Sequence, residues 1–449
     1  MAYQKDRPLR VAVIGAGPAG IYAADALTSS DLPVTVDVYD KLPAPYGLVR
    51  YGVAPDHPKI QSISEKLRLI LERDEVRFFG NVAIGDDLTL DDVRRHYDAV
   101  LFSTGIPGHR DLGVPGDNLP SCQAAADFVS WYNGHPDALP ARPLESERVA
   151  VIGAGNVALD VARMLVTHAD DLASTDVPDD VLAALRTNKV TDVYVVGRRG
   201  PAYAKFTAPE LRELPELDDV DLIVHPDDMV LDPASQELVD GNRKVRTNVN
   251  LFTEWSKKPL TGASRRLHLL FWRKLKDVTG TDDVTGVRFE RTHPGSEHLG
   301  EIDAIEVQAV FAAIGYEGQP LPGLPFDPFS GTVPHETGRV VENGAVVPGL
   351  YVAGWVKRGP IGVIGNNKAD AVETVRSLLA DAESLPGAEN PDPAAVDALL
   401  ESRGVRFVTY DHWLRLEAHE LAAGAAQGRT RSKVAERARM LSICHPDTQ

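Results

Sequence analysis

Apolar positions along this chain gather in short continuous runs instead of alternating strictly with polar ones. The run in RVAVIGAGPAGIYAADAL (residues 10–27) predicts a strand that breaks at glycines and passes into a helix. VTVDVYD (34–40) predicts the next strand, and YDAVLFSTG (97–105) a buried strand ending in small residues. The pattern then starts again. RVAVIGAGNVALDVARMLV (148–166) is a second strand, glycine turn and helix, followed by a helix and the strand TDVYVVG. VQAVFAAIGY (307–316) is similar to the 97–105 run, and GLYVAGWVKRGPIGVIGNNKADAVETVRSLL predicts a strand, a glycine-rich loop and a helix. Residues 216–310 are more polar and lean towards β-structure. A Pro/Glu/Asn-rich linker then leads to a tail that reads as mostly helical, with Trp413 and Leu416 on one face. Arg429, Arg431, Lys433, Arg437 and Arg439 in that tail read as a solvated face. Continuous apolar strands between helices predict an α/β chain with parallel sheets. The doubled strand–glycine–helix unit is the internal repeat.

Length and charge narrow this picture. A chain of 449 residues is expected to hold two domains. A formal net charge of −18 disfavours nonspecific nucleic-acid binding but leaves room for a local basic patch. No apolar run is long enough to span a bilayer and the N-terminus lacks a signal region, so the expected location is cytoplasmic. The two cysteines, Cys122 and Cys444, form no CxxC pair. That excludes a dithiol redox centre and a four-cysteine cluster within the chain, and no metal site is expected.

The first glycine turn carries Gly15, Gly17 and Gly20 as GxGxxG between strand and helix. The first glycine permits the turn, the second lets a pyrophosphate approach, and the third lets helix pack on strand. The helix N-terminus adds positive potential for phosphates. Asp40 closes the next strand, where a carboxylate can accept bonds from both ribose hydroxyls. The second turn carries Gly153, Gly155 and Asn156, with Ala158 at the third glycine position. Its following strand ends in Gly197, Arg198 and Arg199. An unphosphorylated ribose calls for an acid there, whereas guanidinium forks suit a 2′-phosphate. Two dinucleotides in one chain then mean hydride transfer, with FAD in the first site and NADP(H) in the second. With no redox partner of its own in the chain, the electrons leave to an external acceptor.

The segments VIGAGPAGIYAA, PYGLVRYGVAPDHPKI, DFVSWYNGHP, GAGNVALDVARMLV, VGRRGPAYAKFTAPELREL and GWVKRGPIGVIGNNKADA span most of the chain. On them, the sequence resembles the adrenodoxin-reductase-type ferredoxin–NADP+ reductases, close to the actinobacterial members. The resemblance implies two Rossmann-like dinucleotide-binding domains of glutathione-reductase-like type, with the NADP domain inserted in the FAD domain. Residues 1–107 and 320–449 would bind FAD, with 386–449 a helical C-terminal extension, and 108–319 would bind NADP. It further implies FAD contacts from Ala19, Asp40, Gly47, Leu48 and Ile84. Trp355 and Gly362, Val363 and Ile364 would flank the isoalloxazine. Ala154, Gly155, Asn156 and Val157 would cradle the NADP pyrophosphate, with Arg198 and Arg199 on the 2′-phosphate and Glu210 also on NADP.

His57, with an ordinary pKa near neutrality, is the natural group to handle the flavin's proton. The resemblance adds Asp160 and Glu213 to that catalytic set. It also implies a ferredoxin-type iron–sulfur partner, docked in part by Arg212. Arg265, Arg266, Arg273 and Lys274 in SRRLHLLFWRK are further basic candidates, read first as ordinary surface charge. Two departures from the family pattern stand out: Asp40 where Glu is common, and Ile361 where a Thr is usual. The competing enzyme is the NADPH-oxidising flavin subunit of a glutamate-synthase-like complex. That subunit carries cysteine-rich segments before its first Rossmann strand, whereas here the strand begins within ten residues.

Overall fold

The strand Leu9–Ile14 (β1) is buried at every position, as a strand covered on both faces must be. It belongs to a computed structural model that describes residues 7–139, 143–362 and 364–446. The chain divides into two compact units, one of Met1–His109 with Tyr316–Gln449, the other of Arg110–Gly315.

The first unit opens with β1, the helix Pro18–Thr28 (α1) and the strand Val34–Tyr39 (β2). A one-turn helix, Leu48–Tyr51 (α2), precedes the strands Val76–Phe79 (β3) and Ala99–Phe102 (β4). β1 pairs in parallel with β2 on one side and β4 on the other.

In chain order the second unit runs Cys122–Ala124 (β5), Arg148–Ile152 (β6), the helix Asn156–Val166 (α3), Asp192–Val196 (β7) and the short helix Ala208–Glu213 (α4). It continues with Val220–Val224 (β8), Arg265–Leu270 (β9), Arg273–Gly280 (β10), Val284–Arg291 (β11), Ile302–Ile305 (β12) and Ala309–Ala312 (β13). Among the described residues, six of these strands form a parallel sheet in the order β5-β13-β6-β7-β9-β8. β10, β11 and β12 make a separate antiparallel sheet.

The chain then returns to the first unit with His335–Glu336 (β14), Arg339–Glu342 (β15), Ala345–Val352 (β16) and the helices Asn366–Ala380 (α5) and Tyr410–Ala425 (α6). β16 pairs in parallel with β4, so the sheet reads β14-β15-β16-β4-β1-β2-β3 among the described residues. The class is α/β, with the second unit inserted within the first.

Two expectations are corrected. Residues 216–310 are not simply β-leaning, because the helices Pro233–Gly241 and Arg243–Trp255 lie within them. Asp232 caps the first by accepting from Ser235 N at 2.8 Å, and Asn242 caps the second by accepting from Lys244 N at 2.9 Å. Val249, Phe252 and Trp255 are the buried apolar positions of the second, a stripe too narrow to stand out in a polar sequence.

The basic tail is likewise not a solvated face throughout. Arg429 and Lys433 are buried, and only Arg439 of the five is plainly exposed. Lys433 Nζ donates to the Arg50 carbonyl at 3.0 Å, and Arg437 donates to Lys41 O and Asn81 Oδ1, both at 2.9 Å. At the centre lies Glu420 on α6, fully buried, which takes both Arg50 nitrogens at 2.6 and 3.0 Å and Arg431 at 3.1 Å. Burial alone would raise this carboxyl, but the arginines hold it below the usual range. The Arg50 guanidinium also lies 5.1 Å from the centre of the Trp413 ring. The tail therefore closes on α2 through buried charge and on the core through Trp413, Leu416 and Met440.

Glu420→Ala strands the Arg50 charge in the interior, which costs about 3–5 kcal/mol. The thermal midpoint of the purified protein should fall by roughly 10 °C. A midpoint that does not move would show that the tail is not held by this pair.

Candidate functional site

In the first unit the turn after β1 is shaped by clearance. Gly15 has φ +111°, and a side-chain carbon there would lie 2.6 Å from the Ser103 carbonyl oxygen at the end of β4. One at Gly20 would lie 2.0 Å from the Gly15 oxygen and 2.5 Å from Ser103 Oγ. Ser103 Oγ itself donates towards the Ile14 and Gly15 carbonyls at 3.2 and 3.0 Å. Gly17, the N-cap of α1, is different: nothing comes within 4 Å of its missing side chain. On that open side the first N–H groups of α1 have no partner in their own helix.

Three further segments gather at this turn. Asp40, half-buried at the end of β2, accepts from Ala16 N and Leu42 N at 2.9 Å each. Burial pushes its carboxyl up to about 6, against the pull of those two bonds. Tyr46 N donates to Ala16 O at 2.8 Å, and the missing side chain of Gly47 would lie 3.0 Å from Gly17 Cα. Leu48 follows, 44% exposed. Gly354, at φ +75°, sets its backbone against buried Ala19, where an added carbon would come within 2.7 Å of the alanine methyl. Trp355 comes next, its ring 5.1 Å from that of Tyr316.

The remaining candidates of this unit are anchored by other contacts. Ile84 packs against the cluster holding Ile14, Phe102 and Val356. His57 is buried as the N-cap of the one-turn helix Pro58–Gln61. Gly362 is exposed at φ +93°, beside an Ile361 that is 70% exposed. Ile364 packs on the cluster of α1 and β1, and Val363 lies outside the described residues.

The second unit repeats the first geometry. Gly153 has φ +152°, and a carbon added there would lie 2.2 Å from the Ala313 carbonyl at the end of β13. Gly155 caps α3 with nothing within 4 Å. Buried Ala158 replaces the third glycine. This turn is tied to the segment after β7. Ala154 O accepts from Lys205 N at 2.7 Å, and Asn156 clasps Thr207, accepting from its N–H at 2.9 Å and donating to its Oγ1 at 3.2 Å. Val157 is half-buried behind it.

Arg198 and Arg199 are exposed at the end of β7, and among the described residues neither enters an ion pair. The Arg199 guanidinium lies 4.5 Å from the centre of the Tyr203 ring. Other basic side chains of this unit are spoken for: Arg266 pairs with Asp192 at the start of β7, Arg273 with Asp228 and Asp303, and Arg265 donates to Thr167 O. That group is largely structural and does not form a free basic patch.

Arg163 brings two of the candidate acids together. Its side chain is 2% exposed, bonds Asp160 at 2.8 Å and lies 3.6 Å from Glu210. Arg212 and Glu213 are exposed at the end of α4.

A pyridine nucleotide-disulphide oxidoreductase family model matches residues 9–225. The NADPH-ferredoxin reductase FprA of Mycobacterium tuberculosis is 41% identical, over 97% of this chain and 99% of its own length. The chain belongs to the adrenodoxin-reductase-type ferredoxin–NADP+ reductases. The mouse mitochondrial NADPH:adrenodoxin oxidoreductase is 37% identical over 98% of this chain and 92% of its own. A solved structure of the M. tuberculosis FprA in complex with NADPH superposes with a TM-score of 0.89 at 40% identity, covering 98% of this chain and 100% of that one.

Within this reductase frame, several residues carry the geometry without having been singled out in the sequence. Ser103 and Ala313 end strands and look like small terminators, yet their carbonyls set which residues fit the glycine turns. Arg163 sits in VALDVARMLV, where every residue but Val157 and Asp160 is buried. The position of Asp160 three residues earlier was the available signal that its charge is balanced inside.

Proposed function

We propose that this chain is an FAD-dependent reductase that takes a hydride from NADPH and passes electrons singly to a ferredoxin-type iron–sulfur protein. The observation that carries the reading is the repeated glycine turn, open at the helix N-terminus in both units, with an exposed arginine doublet beside the second turn that enters no ion pair among the described residues. The full-length likeness to NADPH-ferredoxin reductases supports it. Bound FAD supplies a hydride acceptor that can release electrons one at a time.

The residues divide by unit. In the first, Gly15, Gly17, Ala19 and Gly20 leave the N-terminus of α1 clear for the FAD pyrophosphate. Asp40 accepts the ribose hydroxyls with lone pairs its two backbone bonds leave over. Gly47, Leu48, Ile84, Trp355, Gly362 and Ile364 line the rest, and the Val363 backbone is assigned with them. In the second unit Gly153, Ala154, Gly155, Asn156 and Val157 hold the NADPH pyrophosphate. Arg198 and Arg199 grip its 2′-phosphate, and Glu210 is steadied for its contact by Arg163. His57 gives or takes the proton that accompanies hydride transfer, with Asp160 and Glu213 as supporting acids. Arg212, exposed on α4, helps dock the acidic partner. Ile361 offers no hydroxyl to the nicotinamide, so orientation there rests on shape. The described residues contain no helix long and apolar enough to cross a membrane, and two free cysteines suit a reducing cytoplasm.

With ferricyanide as acceptor, replacing Arg198 and Arg199 by Ala together should lower the NADPH/NADH preference in kcat/KM by roughly 10²–10⁴. An unchanged ratio would sink the 2′-phosphate assignment. His57→Gln should slow flavin reduction by NADPH in stopped flow while FAD stays bound, and a wild-type rate would remove the proton role.

Burial raises the Asp40 carboxyl to about 6. Ribose hydroxyls need its ionised form, so FAD affinity of the apoprotein is full above that pH and lost as pH falls through it. The Kd should rise by roughly tenfold per pH unit below 6, measured by flavin fluorescence quenching. Asp40→Asn should flatten this profile, and an equally steep one would place the titrating group elsewhere.

A further inference from the structure

Behind the arginine doublet lies a residue in an unfavourable conformation. Trp272, between β9 and β10, has φ +59°, a region that bulky side chains rarely enter. It is 4% exposed. Its indole lies flat against Gly200, the residue after the doublet. A side-chain carbon at Gly200 would lie 2.1 Å from Trp272 Cζ2 and 2.5 Å from Cε2, so only glycine lets the loop rest there. The buried indole N–H has no acceptor among the described residues, which makes this a contact of shape.

This crossover and the residue after β11 together hold the doublet and Gly197 by the backbone. Trp272 N donates to Arg199 O at 3.2 Å, Arg273 N to Gly197 O at 3.1 Å, and Thr292 Oγ1 to Arg198 O at 2.7 Å. Thr292 N in turn donates to Trp272 O at 2.8 Å. On its other side the indole meets the edge of His293, ring centres 4.7 Å apart, and His293 is bonded to Val230 O at 2.9 Å. The Arg199 carbonyl is thus held from the β9–β10 crossover and the Arg198 carbonyl from Thr292, just after β11, while the two guanidinium groups stay exposed.

We propose that Trp272 is a positioning residue for coenzyme selectivity: with Thr292 it forms a rigid shelf that fixes Arg198 and Arg199 at the spacing a 2′-phosphate requires. The shelf touches no phosphate itself. A charged fork gains most when its geometry is set before the ligand arrives, because the ordering cost is already met. The proposal rests on the assignment of the doublet to the 2′-phosphate.

The test is calorimetric binding of 2′,5′-ADP and of 5′-AMP to the FAD-loaded protein and to three variants. Gly200→Ala drives the loop off the indole, Thr292→Val removes one bond with little change of shape, and the Arg198→Ala/Arg199→Ala pair is the reference. Gly200→Ala should lose at least about tenfold in 2′,5′-ADP affinity relative to 5′-AMP, and Thr292→Val about threefold. The NADPH/NADH ratio of KM values should rise in the same order. Equal losses for both ligands, or none in either variant, overturn the shelf while the reference pair still loses 2′,5′-ADP selectively. A reference pair without selective loss overturns the 2′-phosphate assignment itself. If Gly200→Ala does not fold, Thr292→Val alone decides between selective and unselective loss.

Discussion

The structure depends on one steric constraint, used twice. A backbone carbonyl at the end of one parallel strand lies so close to the turn after the neighbouring strand that a side chain cannot fit between them. In the first unit the carbonyl is that of Ser103 and the turn is at Gly15. In the second it is Ala313 and Gly153. Because both turns are pressed down onto the sheet, α1 and α3 start directly above the strand ends and present their unbonded N–H groups to the same kind of space. That space is left clear by Gly17 and Gly155. A pyrophosphate-sized anion suits it in each unit for the same reason, which is how one chain comes to hold a donor and an acceptor of hydride.

Charge then distinguishes the two places. Most of the interior charge in this acidic protein is matched at short range. Asp37 is shared by Arg10 and Arg77, Glu420 by Arg50 and Arg431, and Asp228 is bound by Arg273. Against that background an exposed arginine doublet with no carboxylate partner among the described residues is informative. Its backbone is fixed and its charge is unspent. The first unit has the opposite chemistry at the equivalent strand end, a half-buried carboxylate that still has lone pairs to offer. One strand end suits hydroxyls and the other suits phosphate.

Much of this was legible before any coordinates. Strand–glycine–helix runs announce themselves because a parallel strand must be apolar throughout and the turn must be small. The doublet was legible because its charge is wrong for a plain ribose. What escaped had a physical reason in each case. The helix Arg243–Trp255 buries a narrow stripe under a polar surface, so its period is faint. The basic tail reads as solvated because sequence does not show that Glu420 waits for Arg50 and Arg431 across the core. Arg163 is hidden among apolar neighbours; only Asp160, three residues before it, hints at its pairing, and Glu210 is brought to it by folding. Trp272 gave no signal at all, since its effect lies in a backbone angle and in the absence of a side chain at Gly200.

Electrons enter as a hydride from NADPH and leave singly to an iron–sulfur protein. Cytochrome c reduction by the FAD-loaded enzyme, driven by NADPH and followed with increasing amounts of a ferredoxin, measures both ends at once. The rate should be slow without ferredoxin, rise saturably as it is added, and lose that rise with added salt. A rate indifferent to ferredoxin across a panel of acidic ferredoxins would contradict it.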